Sequence, residues 1–307
     1  MKKLTLLLVV ALMTIILCAC SMESPFLKNA EEGATGEKTS FKIGFSISTL
    51  NNPFFVTLSE GAEANAKELG SEISIVDAQD DASKQASDVE DLIQQGVDII
   101  LINPVDSAAI GSAVESANAA GIPVITVDRS AESGEVVSHI ASDNVAGGVL
   151  AGEYLLELAG EGAKVAMLEG TAGSSAARDR GEGFLTAVEG KVDIVSSLTA
   201  NFDRSEGLTV MENMLQANPE IQAVFAQNDE MALGALEAIE AANKDIIVIG
   251  FDATDDALAK IEEGKMAASV AQKPEEIGKA AIKTAVDYLN GKTVEEFVPV
   301  DLELVKQ

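Results

Sequence analysis

Residues 97–129, VDIILINPVDSAAIGSAVESANAAGIPVITVDR, contain the pattern that decides the fold. Two β-branched apolar runs, 97–103 and 122–128, flank an Ala- and Ser-rich segment, 108–120, that we predict to be a helix. Short apolar runs alternating with longer helical segments are typical of a parallel sheet covered by helices on both faces. The stretch therefore predicts a strand–helix–strand unit with a right-handed crossover.

The same unit recurs in both directions along the chain, about once every 25 residues, as in doubly wound α/β proteins. We predict ten strands, at 41–48, 72–78, 97–103, 122–128, 136–142, 164–170, 192–200, 223–229, 246–253 and 267–272. The predicted helices include 56–69, 84–95, 108–120, 146–159, 206–216 and 231–242. Ten strands with one switch near residue 143 favour two similar parallel-sheet lobes that face each other across a cleft.

The composition restricts the class of protein. With 307 residues the chain is long enough for two domains. Its 47% hydrophobic and 23% charged residues fit neither a disordered chain nor a multispanning membrane protein. Lys and Arg number 21 against 50 Asp and Glu, a formal net charge of −29, which repels phosphate backbones. Nucleic acid is therefore excluded as a partner.

Several chemistries are excluded by scarce residue types. The two cysteines, Cys18 and Cys20, lie in the first twenty residues, so the rest of the chain can form no disulfide or thiolate metal site. His139 is the only histidine, which rules out a multi-histidine metal centre, and we predict a structural role for it. The sequence lacks the GxxxxGK phosphate-binding motif. We therefore expect no metal and no cofactor.

The N-terminus predicts export. Lys2 and Lys3 precede an apolar run, 4–17, which is the layout of a cleavable signal peptide and is too short for a comfortable membrane span. The tetrad LCAC at 17–20 resembles a bacterial lipobox, in which the last cysteine is acylated. We predict a lipoprotein signal peptide over residues 1–19, lipidation of Cys20 and a flexible tether over 20–40. The protein would then be extracytoplasmic and anchored to the cell membrane.

Polar residues end several of the predicted strands. In an open parallel sheet the carboxyl ends of the strands line the ligand crevice. Such residues can equally cap the next helix, and for any one of them the two interpretations are equally open. Five in register favour a crevice: Asn103, Asp128, Asp143, Asn228 and Asp252.

Two adjacent phenylalanines follow the first strand. Only twelve aromatic residues occur in the chain, yet Phe54 and Phe55 lie together after Asn52 in a predicted loop. One interpretation is an apolar platform for the C–H faces of a sugar ring. The alternative is that both start the next helix and pack into the core.

Two arginines accompany two of the strand-end carboxylates. Arg129 follows Asp128 directly, and Arg180 lies in SSAARDRGEGF, where we expect a strand to give way to a helix. Guanidinium groups and carboxylates can share the hydroxyl groups of a polyol between them. Together with Asp252 the four side chains have no net charge, which suits a neutral sugar better than a phosphosugar. A solvated ion pair is the alternative for either arginine alone.

These segments together resemble the D-ribose-binding proteins of ABC importers, which are type I periplasmic substrate-binding proteins. The resemblance covers residues 41–307 and implies two doubly wound lobes joined by three hinge strands. It implies a first lobe of 41–142 plus 273–301 and a second of 143–272 plus 302–307. The motifs that carry it are STLNNPFF (48–55), LINPVDS (101–107), IPVITVDR (122–129), GEVVSHIASDN (134–144), SAARDRGEGF (175–184), FDR (202–204), VFAQNDEMALGAL (224–236), GFD (250–252) and VAQ (270–272).

The resemblance also implies a ligand site, with phenyl rings on both faces of the sugar. The residues that match the family's sugar contacts are Asn52, Phe54, Phe55, Asp128, Arg129, Arg180, Phe202, Asn228, Asp252 and Gln272. The implied partners are D-ribose and the membrane permease of a ribose ABC importer with its ATPase. The implied protein is a monomer without enzymatic activity, and a chemoreceptor stays open as a further partner.

Three alternatives remain at this point. The first is another sugar, such as allose or a different pentose, or the furanosyl signal autoinducer-2. The second is an enzyme acting on a sugar. The third is a sugar-responsive transcription regulator of the same fold, which the export signal and the acidic composition disfavour.

Overall fold

The computed structural model describes residues 40–307, so the predicted signal peptide, Cys20 and residues 20–39 of the tether lie outside the described residues. Within this range twelve strands alternate with nine helices. The strands are β1 Lys42–Ile47, β2 Glu72–Asp77, β3 Ile99–Ile102, β4 Val124–Val127, β5 Ser138–Ser142, β6 Lys164–Glu169, β7 Asp193–Thr199, β8 Ala223–Ala226, β9 Ile247–Asp252, β10 Ala268–Ala271, β11 Phe297–Val300 and β12 Glu303–Lys306. The helices are α1 Pro53–Glu68, α2 Ala82–Gln95, α3 Gly111–Ala119, α4 Asn144–Ala159, α5 Ser175–Val188, α6 Arg204–Ala217, α7 Asp229–Ala241, α8 Asp255–Glu262 and α9 Pro274–Leu289. None of these helices is both long enough and apolar enough to cross a bilayer.

The strands form two six-stranded sheets, one in each lobe. The order is β11-β5-β4-β3-β1-β2 in the first lobe and β12-β10-β9-β8-β6-β7 in the second. All strand pairs are parallel except β10 and β12, which are antiparallel. The predicted fold class, two doubly wound α/β lobes, is confirmed.

The chain passes between the two sheets at three places. It leaves the first sheet after β5, returns to the first lobe between β10 and α9, and crosses again between β11 and β12. Each crossing is short, because only two residues separate β10 from α9 and two separate β11 from β12. Three short connections therefore join the two lobes.

The two strands that the sequence analysis missed, β11 and β12, lie at sheet edges. Their sequences, FVPV and ELVK, mix exposed residues with partly or fully buried ones instead of forming a continuous apolar run. Pro299 cannot donate a backbone hydrogen bond and is tolerated at an edge. Edge strands of four residues therefore gave no signal above that of a loop.

Apolar layers cover both faces of each sheet. In the first lobe all four residues of β3, Ile99–Ile102, are fully buried, as expected for a central parallel strand. In the second lobe α4 and α5 pack closely through glycines. A Cβ atom at Gly183 would lie 2.0 Å from the backbone oxygen of Val145, so only glycine permits this approach. The contact fixes α5, which carries Arg180, against the lobe.

Candidate functional site

The carboxyl ends of the parallel strands of both sheets meet at one small cavity of about 10 Å³. Nine of the ten predicted site residues line it. The tenth, Gln272, is a neighbour: its Nε2 donates to Asp252 Oδ1 over 2.9 Å. The structure thus brings all ten residues together, although they lie on both lobes and are far apart in the sequence. They are Asn52, Phe54, Phe55, Asp128, Arg129, Arg180, Phe202, Asn228, Asp252 and Gln272.

Phe54 and Phe55 lie in the first turn of α1, so the prediction that they belong to a loop is wrong. Asn52 caps this helix, since its Oδ1 accepts from the backbone N–H of Phe54 over 3.0 Å, and Pro53 occupies the first helical position. Both rings are buried and pack edge to face, with centroids 5.2 Å apart. The two interpretations of the pair are therefore compatible, because residues that start the helix also line the cavity.

Phe202 reaches the cavity from the second lobe. Its backbone φ of 60° follows Asn201 at 51°, a left-handed turn that aims the ring inward. The ring covers Gly170, where a Cβ atom would lie 2.0 Å from the phenyl carbon Cζ. Asn228 supports this turn by donating from Nδ2 to the Phe202 backbone oxygen over 3.2 Å. Aromatic rings from both lobes therefore line one cavity.

Arg129 lies near the rings of both lobes. Its guanidinium carbon is 5.0 Å from the ring centre of Phe55 and 5.3 Å from that of Phe202. Nη1 donates to the backbone oxygen of Pro104 over 3.1 Å, and Nε is 3.8 Å from Asp128 Oδ2. This arginine is almost fully buried, which excludes the alternative of a solvated surface ion pair.

Arg180 is held by contacts that sequence reasoning did not identify. It lies in α5, which follows β6 and begins at Ser175 within the segment SSAARDRGEGF. Nε donates to Asn144 Oδ1 over 2.8 Å, and Nη1 donates to the Gln227 backbone oxygen over 2.7 Å. The guanidinium stacks 3.9 Å above the ring of Phe251 and lies 3.6 Å from Asp252 Oδ1. These partners fix its orientation toward the cavity.

The supporting residues have weak sequence signals. Asn103 donates from Nδ2 to Asp128 Oδ2 over 3.4 Å and was visible as a strand-end residue. Gln227 precedes Asn228 in the VFAQND motif. Asn144 and Phe251 had no signal of their own, because what matters is their distance to Arg180 in space.

Burial disfavours the charged forms of the carboxyl groups in the cavity. Removal from water raises the pKa of Asp128, while the nearby Arg129 and Arg180 lower it. The same desolvation raises the pKa of Asp252 to about 7, against the opposing charge of Arg180 and the hydrogen bond from Gln272. All four side chains whose charges were predicted to balance are buried: Asp128, Arg129, Arg180 and Asp252. The arginines favour the ionised forms of the two carboxyl groups.

This raised pKa predicts how the stability of the unliganded protein depends on pH. The folded state holds the Asp252 proton up to about pH 7, whereas the unfolded chain releases it near 3.8. The contribution of Asp252 to the free energy of unfolding should therefore fall as pH rises between about 4 and about 7. Asp252→Asn should flatten this slope, as measured by urea unfolding at several pH values. Asp255→Asn, an exposed neighbour, is the control, and an unchanged slope in Asp252→Asn would contradict the prediction.

Three buried polar atoms at the site find no hydrogen-bond partner among residues 40–307. They are Asp128 Oδ1, Arg129 Nε and Gln272 Oε1. Burying such a group without a partner costs about 1–3 kcal/mol. Two acceptors and one donor at the ends of two strands, β4 and β10, match a small molecule that carries several hydroxyl groups, since each hydroxyl both donates and accepts.

Contacts outside the cavity also join the lobes, and we call them the closing contacts. The backbone N–H of Ser130 donates to Ser175 Oγ over 2.9 Å. The others are Ser107 N to Gly173 O at 3.0 Å, Ser175 N to Ser107 Oγ at 3.2 Å, and the ion pair of Arg178 Nη1 with Glu132 Oε1 at 3.2 Å. The structure is therefore that of a closed cleft.

His139 has structural contacts. Its Nδ1 is 2.9 Å from Thr126 Oγ1, and its ring stacks on Phe297 with centroids 5.7 Å apart. It lies on β5 and is not among the residues that line the cavity. The structural role predicted for it agrees with these contacts.

Comparisons with a family model, with curated proteins and with solved structures all find solute-binding proteins. A family model described as a periplasmic binding protein domain matches residues 43–293. The chain is 56% identical over 299 residues to the ribose import binding protein of Bacillus subtilis (strain 168), covering 97% of each chain. It is 54% identical over 265 residues to the protein of the same name from Escherichia coli (strain K12), covering 86% of this chain and 90% of that one. A solved structure of an ABC transporter solute binding protein from Mycobacterium smegmatis with bound glycerol superimposes with a TM-score of 0.84 at 40% identity, covering 87% and 94% of the two chains.

Proposed function

The chain belongs to the periplasmic binding protein family, and we propose on that basis that it captures D-ribose between its lobes and delivers it to an ABC importer. The observation that carries the proposal is the cavity lined by nine of the ten residues described above, with Gln272 bonded to one of them. Relatives with more than half of their residues identical are ribose import binding proteins. The resemblance seen in the sequence is therefore a resemblance to proteins named for ribose import.

The proposed mechanism is closure around the sugar. Ribose would contact residues of both lobes only when the cleft is closed, so its binding favours the closed population. Phe54 and Phe55 would face the ring from the first lobe, with Phe202 on the opposite side. The partnerless atoms of Asp128, Arg129 and Gln272 would gain hydroxyl partners. The closed protein, with its closing contacts formed, is the shape presented to the permease.

Further parts of the proposal concern location and partners. The family places the protein outside the cytoplasm, and we propose that lipid on Cys20 anchors it to the cell membrane. The proposed partners are the permease of a ribose ABC importer with its ATPase, and the proposed working form is a monomer. We further propose that the lobes divide at the three crossings, as 41–142 plus 273–301 and 143–272 plus 302–307. A chemoreceptor remains a further partner to test.

We propose binding without turnover rather than catalysis. The relatives are solute-binding proteins, and the cavity pairs its carboxylates with arginines instead of leaving one as a free general base. Incubation of ribose with the protein should return unchanged ribose by chromatography. A product that accumulates with time would contradict this part of the proposal.

Calorimetric titration with a panel of sugars tests the ligand. Ribose, with about ten heavy atoms, should bind with a Kd of about 1 μM or tighter, within the affinity that small ligands reach. Allose, xylose, arabinose and galactose should bind about tenfold more weakly or worse, since a misplaced hydroxyl leaves a buried group unpaired. Tighter binding of another sugar, or of autoinducer-2, would overturn the assignment to ribose.

A further inference from the structure

A fully buried carboxylate lies next to the site but does not line its cavity. Asp229 is the first residue of α7 and follows Asn228 directly. Its Oδ1 accepts from Ser269 Oγ over 2.7 Å, and its Oδ2 accepts from the backbone N–H of Thr254 over 2.7 Å. The hydroxyl of Thr254 is a further donor at 3.3 Å. These bonds join α7 to the segment that follows β9 and to β10.

The last residue of β9 and the residue that follows it have a strained backbone. Asp252 has a φ of 113° and Ala253 a φ of 55°, in a region that residues with a side chain seldom adopt. Residues in this conformation persist only where their surroundings hold them. The amides that follow Asp252 are held by the same two side chains, because Ala253 N donates to Ser269 Oγ over 3.0 Å and Thr254 N donates to Asp229.

Helix capping does not explain why a carboxylate is buried at position 229. The cap of α7 is Asn228, whose Oδ1 accepts from the backbone N–H of Met231 over 3.0 Å. Burial and the nearby charge of Asp252 both raise the pKa of Asp229, so a carboxylate at this position is costly. Its hydrogen bonds instead go to the segment that carries Asp252.

We propose that Asp229, together with Ser269, is a positioning residue for sugar binding: the pair holds the strained backbone after β9 and thereby aims the Asp252 carboxylate at the cavity. The inference rests on the proposed function and extends it to residues that do not touch the sugar. Asp252 then keeps its 2.9 Å bond from Gln272 and its 3.6 Å approach to Arg180.

Calorimetry on single variants tests the positioning role. Ser269→Ala and Asp229→Ala should each weaken ribose binding about tenfold, since each frees a backbone amide from its acceptor. Asp229→Asn keeps an oxygen for the Thr254 amide and should stay within about threefold of wild type. Asp255→Ala, an exposed acid at the start of α8, is the matched control and should leave the affinity unchanged. If Asp229→Ala does not fold, Ser269→Ala carries the test, because it removes only a hydroxyl.

Two combinations separate positioning from general stability. In an Asp252→Asn background, Asp229→Ala should cause no further loss of affinity, because its effect acts through Asp252. Ala253→Gly should restore most of the affinity lost in Asp229→Ala, since glycine adopts a positive φ without strain. Additive losses together with no rescue by Ala253→Gly would overturn the inference, and so would unchanged affinity in both single alanine variants.

The wild-type titration reports separately on the proposed function. If wild type binds ribose and the variants behave as wild type, the positioning role alone is wrong. If wild type binds no sugar of the panel, the proposed function fails, and the inference that rests on it fails as well.

Discussion

The Arg180→Ala variant is expected to lose ribose affinity by about a hundredfold to about a thousandfold, the cost of truncating one member of a buried charge pair. The guanidinium is almost fully buried between Asn144, Gln227 and Phe251 and lies 3.6 Å from Asp252. Its removal leaves the Asp252 carboxylate without a cationic partner and takes away a donor to the sugar. Calorimetry measures the loss, and circular dichroism with thermal unfolding checks that the variant is folded.

Arg178→Ala is the matched control for this prediction. Arg178 lies on the same helix two residues earlier, is half exposed and supplies only one of the closing contacts, its solvent-exposed ion pair with Glu132. Exposed ion pairs contribute about 0–1 kcal/mol, so its loss should change the affinity by no more than about fivefold. Equal losses in the two variants, with both folded, would show that Arg180 has no special role.

The second large effect is expected from Phe202→Ala, which should weaken ribose binding by about thirtyfold to about a hundredfold. The ring supplies the aromatic surface of the second lobe, and removing a buried phenyl group forfeits about 1.5–3 kcal/mol of apolar contact. Its proximity to Arg129 and Arg180 adds a cation–π contribution. Titration calorimetry measures the change.

Two further variants show whether the flat face of the ring matters. Phe202→Leu keeps apolar volume without an aromatic face and should lose an intermediate amount. Phe297→Ala removes a partly exposed phenylalanine that stacks on His139, away from the cavity, and should leave ribose affinity unchanged. If Phe202→Leu binds as wild type does, stacking on the sugar is not the role of this ring.

The sequence predicted the elements whose signal is local. Ile99–Ile102 are all apolar because this strand is buried on both faces, and so the strand could be predicted directly. The missed strands, β11 and β12, are short and half exposed, and the pairing of β12 with β10 depends on a sequence separation of more than thirty residues. Pairing of that kind leaves no periodic pattern in either segment.

The site residues also divide into those with a local sequence signal and those that depend on contacts between distant parts of the chain. Asp128 and Asp252 were visible because strand ends in a parallel sheet converge on one edge. Phe202 and Gln272 were found only through the resemblance to a known family. Asn144 was missed because its bond to Arg180 joins residues 36 positions apart, and no pattern in a single sequence encodes that proximity.

The loop placement of Phe54 and Phe55 was wrong for a physical reason. Asn52 and Pro53 look like turn residues, but the same two types cap a helix and occupy its first position. The helix therefore begins three residues earlier than its apolar periodicity indicated. Composition alone does not distinguish a turn from a helix start.

The third crossing, between β11 and β12, has a consequence for synthesis and turnover. Residues 297–306 supply an outer strand to both sheets within a single short segment. A ribosome that stalls before this segment, or a protease that clips it, would open two hydrogen-bonding edges in one event. We expect such incomplete copies to be less stable and more prone to edge-to-edge association than the full chain, because both sheets lose their outer strand together.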